Sequence, residues 1–338
     1  MKKTLIASAI AAISFSGTAL AMENASELAA RMDSMPSVYG NIQYAITNTS
    51  IDNAGSEIDQ FDNGTTLGVK HEHLIAPGLT GFFKLELEGI NADDKANSSG
   101  IDKLDEAYIG VKSDSFGQVW VGTDDSTYER AIAKIVNFHE IGTGLDGSYS
   151  TGEGDQIQYS SPSFGGLTLG ASLQINGDGK DGGKSYPYQL AAIYTVDALE
   201  LAFAMDSNDG TLAYSKKDVL DPNNENTYGL RATYSMGDLS VTGEYQIRKD
   251  VKNEYGVIGV YALGANQFSL AYQVVEDDTV GLTNGDKEDV IALQALHNLS
   301  DNMYVYTEAF FYSKDADYSA VAGSDQKQVA AVGAVYYF

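Results

Sequence analysis

The sequence predicts an all-β fold, a sixteen-stranded antiparallel transmembrane β-barrel. Three observations lead there. The last eleven residues, Gln328 to Phe338, alternate between two faces and stop on an aromatic residue. Segments of the same kind, each about ten residues long with one apolar and one polar face, recur along the chain, and that is the length that crosses a bilayer when tilted. Finally, the connections between them alternate between short turns and long polar segments, as in outer-membrane barrels.

The first 21 residues read as an export signal. Lys2 and Lys3 are followed by an apolar run from Leu5 to Phe15 and by Ala19-Leu20-Ala21, a small-x-small cleavage site. The run is about half the roughly 20 residues a spanning helix needs, which weighs against a retained anchor. Cleavage would leave a chain starting at Met22, and losing the two lysines takes the formal net charge from −26 to −28. Residues 22–35 have a helix-like pattern, with Ser26 as a cap and Pro36 as a stop, and are expected to form a short N-terminal periplasmic extension; a frayed terminus is the plainer alternative. The barrel is expected over 36–338.

Strand by strand, the period of two is explicit. Val38, Gly40, Ile42, Tyr44 and Ile46 alternate with Tyr39, Asn41 and Gln43; a polar loop is expected at 49–63. Leu79, Phe83, Leu85 and Leu87 oppose Thr80, Lys84, Glu86 and Glu88, and Ala107, Ile109 and Val111 oppose Glu106, Tyr108 and Lys112. Further on, Tyr228, Leu230 and Ala232 oppose Thr227, Arg231 and Thr233; Val241, Tyr245 and Ile247 oppose Thr242, Glu244 and Arg248. Short turns fall at 114–117, 162–166, 196–198, 235–238, 263–266 and 299–302, and longer polar segments near 124–154, 176–187, 206–226, 276–287 and 313–325. An even strand count puts both termini on the periplasmic side. A soluble β-sandwich also alternates, but its outer faces should be charged, and here aromatics such as Tyr336 and Phe338 gather at strand ends as in interfacial girdles.

Composition narrows function. There is no Cys, so disulfides and thiolate metal sites are excluded. A chain with 47 acidic and 21 basic residues is a poor partner for nucleic acid or anionic lipid and is compatible with cation attraction or a saline habitat. Charges on the polar strand faces, including Lys84, Glu86, Glu106, Arg231, Glu244 and Glu308, are expected to line the lumen, because a Lys or Arg at the lipid midplane costs about 2–4 kcal/mol. The 31-residue segment 124–154 carries Asp124, Asp125, Glu129, Glu140, Asp146 and Glu153 against Arg130 and Lys134. A loop of that length calls for a function. As a group these acids are expected to form an acidic constriction that concentrates cations; singly, each reads more readily as solvated loop charge.

The blocks VYGNIQY, TTLGVK with GLTGFFKLELEG, EAYIGVKSDSFGQVWVG, IQYSSPSFGGLTLGASLQ and LSDNMYVY, with the terminal Phe, resemble the general-diffusion porins of Gram-negative outer membranes. The resemblance runs from about Val38 to Phe338. It implies a homotrimer of water-filled pores in the cell outer membrane, surrounded by lipid and lipopolysaccharide. The third long loop would fold inward, and Phe338 would be read by the barrel-assembly machinery. It also exposes departures: porins of this kind carry basic wall residues where this chain has Asn41, Thr66, Thr123 and Asp105. Strict alternation, however, groups Thr123 with Val119 and Val121.

Rival functions have candidate residues of their own. His71-Glu72-His73 places two imidazoles on one side, but at an expected turn and without a third ligand, so no metal and no cofactor is expected. An outer-membrane barrel enzyme would need a Ser–His pair; Ser300 lies near His297 and Asn298, in a region read as a turn. A substrate-selective channel would show a run of aromatics along the lumen or a ladder of arginines; neither is evident, and Tyr304, Tyr306, Phe310 and Tyr312 are the best candidates. The reading is therefore a non-enzymatic pore for passive diffusion of ions and small hydrophilic solutes, with a preference for cations.

Overall fold

The computed structural model describes residues 35–338 except 90, 94–99, 101–102, 143, 146, 148, 176–185, 210–224 and 280–284. The strands are β1 (Ser37–Ile51), β2 (Gly55–Asp62), β3 (Leu67–Ala76), β4 (Leu79–Glu88), β5 (Lys103–Ser113) and β6 (Gly117–Thr123). After one helical turn, α1 (Thr127–Ala131), come β7 (Gln156–Ser160), β8 (Leu167–Gln174), β9 (Tyr188–Val196), β10 (Leu199–Asp206) and β11 (Thr227–Met236). The series ends with β12 (Leu239–Arg248), β13 (Lys252–Leu263), β14 (Asn266–Asp277), β15 (Asp286–Ser300), β16 (Met303–Lys314) and β17 (Gln326–Tyr337).

All pairings are antiparallel, and β1 pairs with β17 from Asn41↔Tyr337 to Ile51↔Lys327, so the sheet closes on itself. Seventeen segments occupy sixteen wall positions. The first half of β1 pairs with β3 (Ser37↔Lys70 to Gly40↔Leu67) and the second half with β2 (Tyr44↔Asp62 to Ile51↔Gly55). Segments β2 and β3 are thus one interrupted strand. The interruption is local chemistry: Asp62 Oδ1 accepts the backbone N–H of Gly64 and Thr65 at 3.2 and 2.7 Å, an Asx turn that diverts the chain. The expected polar loop at 49–63 is therefore a hairpin. Its segment GSEIDQFD shows no apolar-polar alternation, which is why its strand character escaped notice.

Short turns join the strands at one end. The two-residue links at 77–78 and 264–265 require left-handed backbone, supplied by Gly78 (φ 75°) and Gly264 (φ 60°). The wall has the reverse of a soluble protein's pattern. Leu230 is 55% exposed while its neighbour Arg231 is 5% exposed. Leu201, Phe203, Leu270, Leu293 and Phe311 likewise face outward. Closing the sheet leaves no strand edge to satisfy, which is what a spanning sheet needs in hydrocarbon.

At the seam, Phe338 donates its N–H to the Gly40 carbonyl at 3.1 Å and Gly40 returns an N–H to the Phe338 carbonyl at 3.3 Å. A Cβ on Gly40 would lie 2.7 Å from Phe338 Cζ, so the terminal ring packs over a glycine. Residues 1–34, which hold the expected signal and most of the expected extension, lie outside the described residues.

Candidate functional site

The segment between β6 and β7 is tied to the side of the wall opposite the exposed apolar face. Ser126 caps α1, its side chain accepting the Glu129 N–H at 3.1 Å. In the first turn and beyond it, amides that have no ladder to join find acceptors on wall side chains. Gln189 of β9 takes the Tyr128 N–H at 2.8 Å. Glu244 of β12 takes those of Lys134 and Ile135 at 2.8 and 3.0 Å. Glu308 of β16 takes Glu140 and Ile141 at 2.8 and 3.1 Å. Gln273 of β14 takes Leu145 at 3.2 Å, and Asp206 of β10 takes Ser150 and Thr151 at 3.1 and 3.0 Å. Asp206, Glu244 and Glu308 are 0, 6 and 2% exposed.

Apolar packing fixes the same segment. Ile135 and Leu145 join Ile258, Val290, Phe310 and Val329 of the wall in one cluster; Tyr128, Ala131 and Ile132 join Ala191, Ala202 and Ala204 in another. His139 lies between Phe138 and Phe310, 3.2 Å from Ser269 Oγ, and burial pushes its imidazole down to about 4.

These contacts correct several sequence expectations. Arg231 and Glu244 do belong to the polar strand face, but both are covered by the segment rather than open to the lumen. Arg231 Nε donates to the Ala131 carbonyl at 2.8 Å, and its guanidinium pairs with Glu200 at 2.7 Å. Tyr306, Phe310 and Tyr312 are 4, 0 and 4% exposed, so the aromatic run on β16 is a bed for the segment and not a track open to solute. Thr123 pairs directly with Ala107 and shares the outward side with Ile109 and Val121. No bulge intervenes between β5 and β6, so Thr123 does not line the wall interior.

What remains open is an acidic group. Carboxylate oxygens of Asp125, Glu129 and Glu153 lie within 4.8 Å of one another. Among the described residues this is the one set of three acids or imidazoles so close. Across from it, β4 and β5 contribute Glu86, Asp105 and Glu106. Asp105 is on that side because of a register shift: Glu86 pairs with Glu106 and Leu87 with Leu104, leaving Asp105 as the extra residue of a bulge. Partial desolvation, then the charges of Glu129, Asp125 and Asp105, push the Glu153 carboxyl up to about 7. Lys84 is held by Glu106 and, at 3.4 Å, by Glu86.

The other expected residues divide. Asp124 accepts from Trp120 Nε1 at 2.7 Å and pairs with Arg130 at 2.9 Å; burial raises its pKa against the pull of that guanidinium. Glu140 stands apart from the cluster, accepting the Tyr304 hydroxyl at 2.9 Å while its carbonyl takes Asn63 Nδ2 at 2.5 Å; burial raises it too. Asn41 and Thr66 share a hydrogen bond of 3.1 Å. Asp146 lies outside the described residues. Sequence reasoning missed Asp206 as an anchor, because an acid at a strand end beside a polar loop reads as solvent-facing. Gln246 and Gln273 were legible as polar-face residues, but the part that they, Gln158 and Gln189 play as acceptors for the segment was not.

The two rival sites do not assemble. His71 and His73 lie in β3 rather than in a turn, their rings stacked at 5.5 Å and 13°, and no third imidazole or acid joins them among the described residues. His297 Nδ1 meets Asn266 Oδ1 at 2.9 Å, whereas Ser300 Oγ accepts the Asn302 N–H at 3.2 Å, so each is engaged elsewhere.

A family model described as Gram-negative porin matches residues 7–317. The chain is 30% identical to a protein named Monosaccharide porin from Halomonas sp, covering 94% of this chain and 96% of the relative; the Major outer membrane protein of Halomonas elongata matches equally. Among solved structures, an anion-selective porin from Comamonas acidovorans aligns with TM-score 0.70 at 18% identity, covering 90% of this chain and 99% of the other. Salmonella typhi OmpF, in complex with daunomycin, aligns with TM-score 0.71 at 15% identity, covering 90% and 98%. At such identities these structures speak for the barrel and not for its selectivity.

Proposed function

Because the chain belongs to the Gram-negative porin family, we propose that it forms a passive, non-enzymatic outer-membrane pore that prefers cations. In this reading residues 124–154 fold into the barrel and narrow it. The supporting observation is the facing of two acidic groups: Asp125, Glu129 and Glu153 on the segment, Glu86, Asp105 and Glu106 on the wall. Against six carboxylates stand Lys84, already paired within the wall group, Arg130, paired with Asp124, and the exposed Lys134, near enough to Asp125 to feel its charge. In a water-filled gap between low-dielectric walls such an excess raises the local cation concentration. The sharing of one barrel with an anion-selective porin means that side chains, and not the sheet, must set the sign.

The fuller reading is a homotrimer exported by residues 1–21, embedded in outer-membrane lipid and lipopolysaccharide. The barrel-assembly machinery would recognise Phe338. The solutes are ions and small hydrophilic molecules; the Halomonas relative named a monosaccharide porin makes neutral sugars the first to test. Planar-bilayer recording tests the whole. Current closing in three equal steps, with a reversal potential of cation sign in a salt gradient, is expected; anion preference would end the selectivity reading, and absence of current the pore reading.

A further inference from the structure

A cavity of about 450 Å³ lies between α1 and the strands β3–β9, next to the acidic group. Its volume is in the range of small-molecule sites. Two features set it apart from the rest of the interior.

The first is aromatic surface. Phe82 and Tyr108, half-buried on neighbouring strands, meet edge to face at 6.2 Å and 78°. Of the other inward rings, those of Tyr306, Phe310 and Tyr312 are buried, as is Tyr128 of the segment itself; Lys70 lies 4.7 Å over that of Tyr39, and Tyr304 is tied through its hydroxyl to Glu140. Trp120 also borders the cavity, but Arg130 sits over its ring at 5.1 Å. The Lys112 ammonium is 5.9 Å from the Phe82 centroid, at the limit of cation–π reach, so it does not cover that face.

The second feature is charge in pairs. Lys112 bonds Glu72 at 2.6 Å, Arg130 bonds Asp124 at 2.9 Å, and Lys84 bonds Glu106. Each pair sets donors and acceptors side by side with its charge largely neutralised. Glu106, Asp124 and Asp125 in the lining repel an anion, and Lys84, Lys112 and Arg130, each already paired, leave it no free positive charge there. A neutral polyhydroxylated ring suits both features: its hydroxyls each donate and accept, and its C–H face needs an apolar partner.

We propose that this cavity is a binding subsite for a neutral monosaccharide passing through the pore, with Phe82 and Tyr108 as the apolar platform and the Lys112–Glu72 and Arg130–Asp124 pairs as hydroxyl partners. The inference rests on the pore reading above. The test titrates D-glucose against the ion current of the purified full-length protein in planar bilayers. The expected result is excess current noise that saturates with sugar. Replacing both rings (Phe82→Leu with Tyr108→Leu) should raise the half-saturating concentration by about tenfold or more, while Tyr108→Phe alone keeps saturation. Current in salt alone reports that each variant has folded. Glucose that lowers the current only in proportion to viscosity overturns the subsite, as does saturation untouched by the double substitution, or saturation by zwitterionic glycine and not by glucose. A protein that carries no current fails at the pore reading, whereas one that conducts but ignores glucose fails at the subsite alone.

Discussion

Glu308 on β16 accepts the backbone N–H of Glu140 at 2.8 Å, and the next amide, of Ile141, at 3.1 Å. A charge that alternation assigns to the polar strand face is thus occupied in holding the backbone of the segment between β6 and β7. Glu244 and Asp206 do the same at two other points, so part of the acidity of this chain is structural.

The anchoring carboxylates predict how the segment is released. Glu244→Ala leaves the Ile135 amide without its acceptor and the Lys134 amide with only the Ile132 carbonyl, at a cost of about 1–3 kcal/mol to docking. Limited proteolysis of the detergent-solubilised protein should then cleave within 124–154 faster than in the parent, and single-channel current should become noisier. Equal cleavage rates would contradict the anchoring role.

Gly229 predicts a packing limit. A Cβ there would lie 2.5 Å from Tyr128 Oη and 2.8 Å from Ile132 Cγ1, the face on which α1 rests. Gly229→Val should therefore destabilise the docked segment by about 1–3 kcal/mol, read as a lower thermal midpoint for its protease protection. An unchanged midpoint would mean that the segment does not bear on β11.

Glu153 predicts a pH dependence of selectivity. A carboxyl pushed up to about 7 is neutral below that pH and charged above it. Cation preference should rise as pH increases through about 7, and Glu153→Gln should flatten the change. Reversal potentials at a series of pH values check both.

His139 predicts a dependence of the opposite origin. Its pKa falls from 6.5 to about 4 on burial, so between these values the undocked chain binds the proton more readily. Its contribution to docking is present above about 6.5 and is lost as pH falls towards 4. The difference in protease protection between the parent and His139→Gln should therefore vary with pH across this window and be constant above it. A difference that ignores pH would contradict the buried neutral imidazole.

Alternation made the strand faces legible, because one side chain in two meets hydrocarbon and the next does not. It failed where that contrast is missing: GSEIDQFD has polar residues on both faces and was read as loop. The Asp105 bulge was illegible for another reason, since it depends on the register with β4 and not on local composition. Thr123 was placed on the lumen wall by resemblance, and register with Ala107 overrode it; alternation alone had put it with Val119 and Val121. For Arg231, Glu244, Tyr306 and Phe310 the inward direction was visible. What covers them was not, because that depends on contacts more than a hundred residues apart in the chain, as between Ile135 and Glu244.

The central claim is that the carboxylates of Asp125, Glu129 and Glu153, facing those of the wall, set the sign of selectivity. The direct measurement is the reversal potential in a KCl gradient for the parent and for the triple variant Asp125→Asn, Glu129→Gln, Glu153→Gln. The account predicts cation selectivity in the parent and a shift towards zero or anion sign in the variant. An unchanged reversal potential would place selectivity elsewhere in the chain and contradict it.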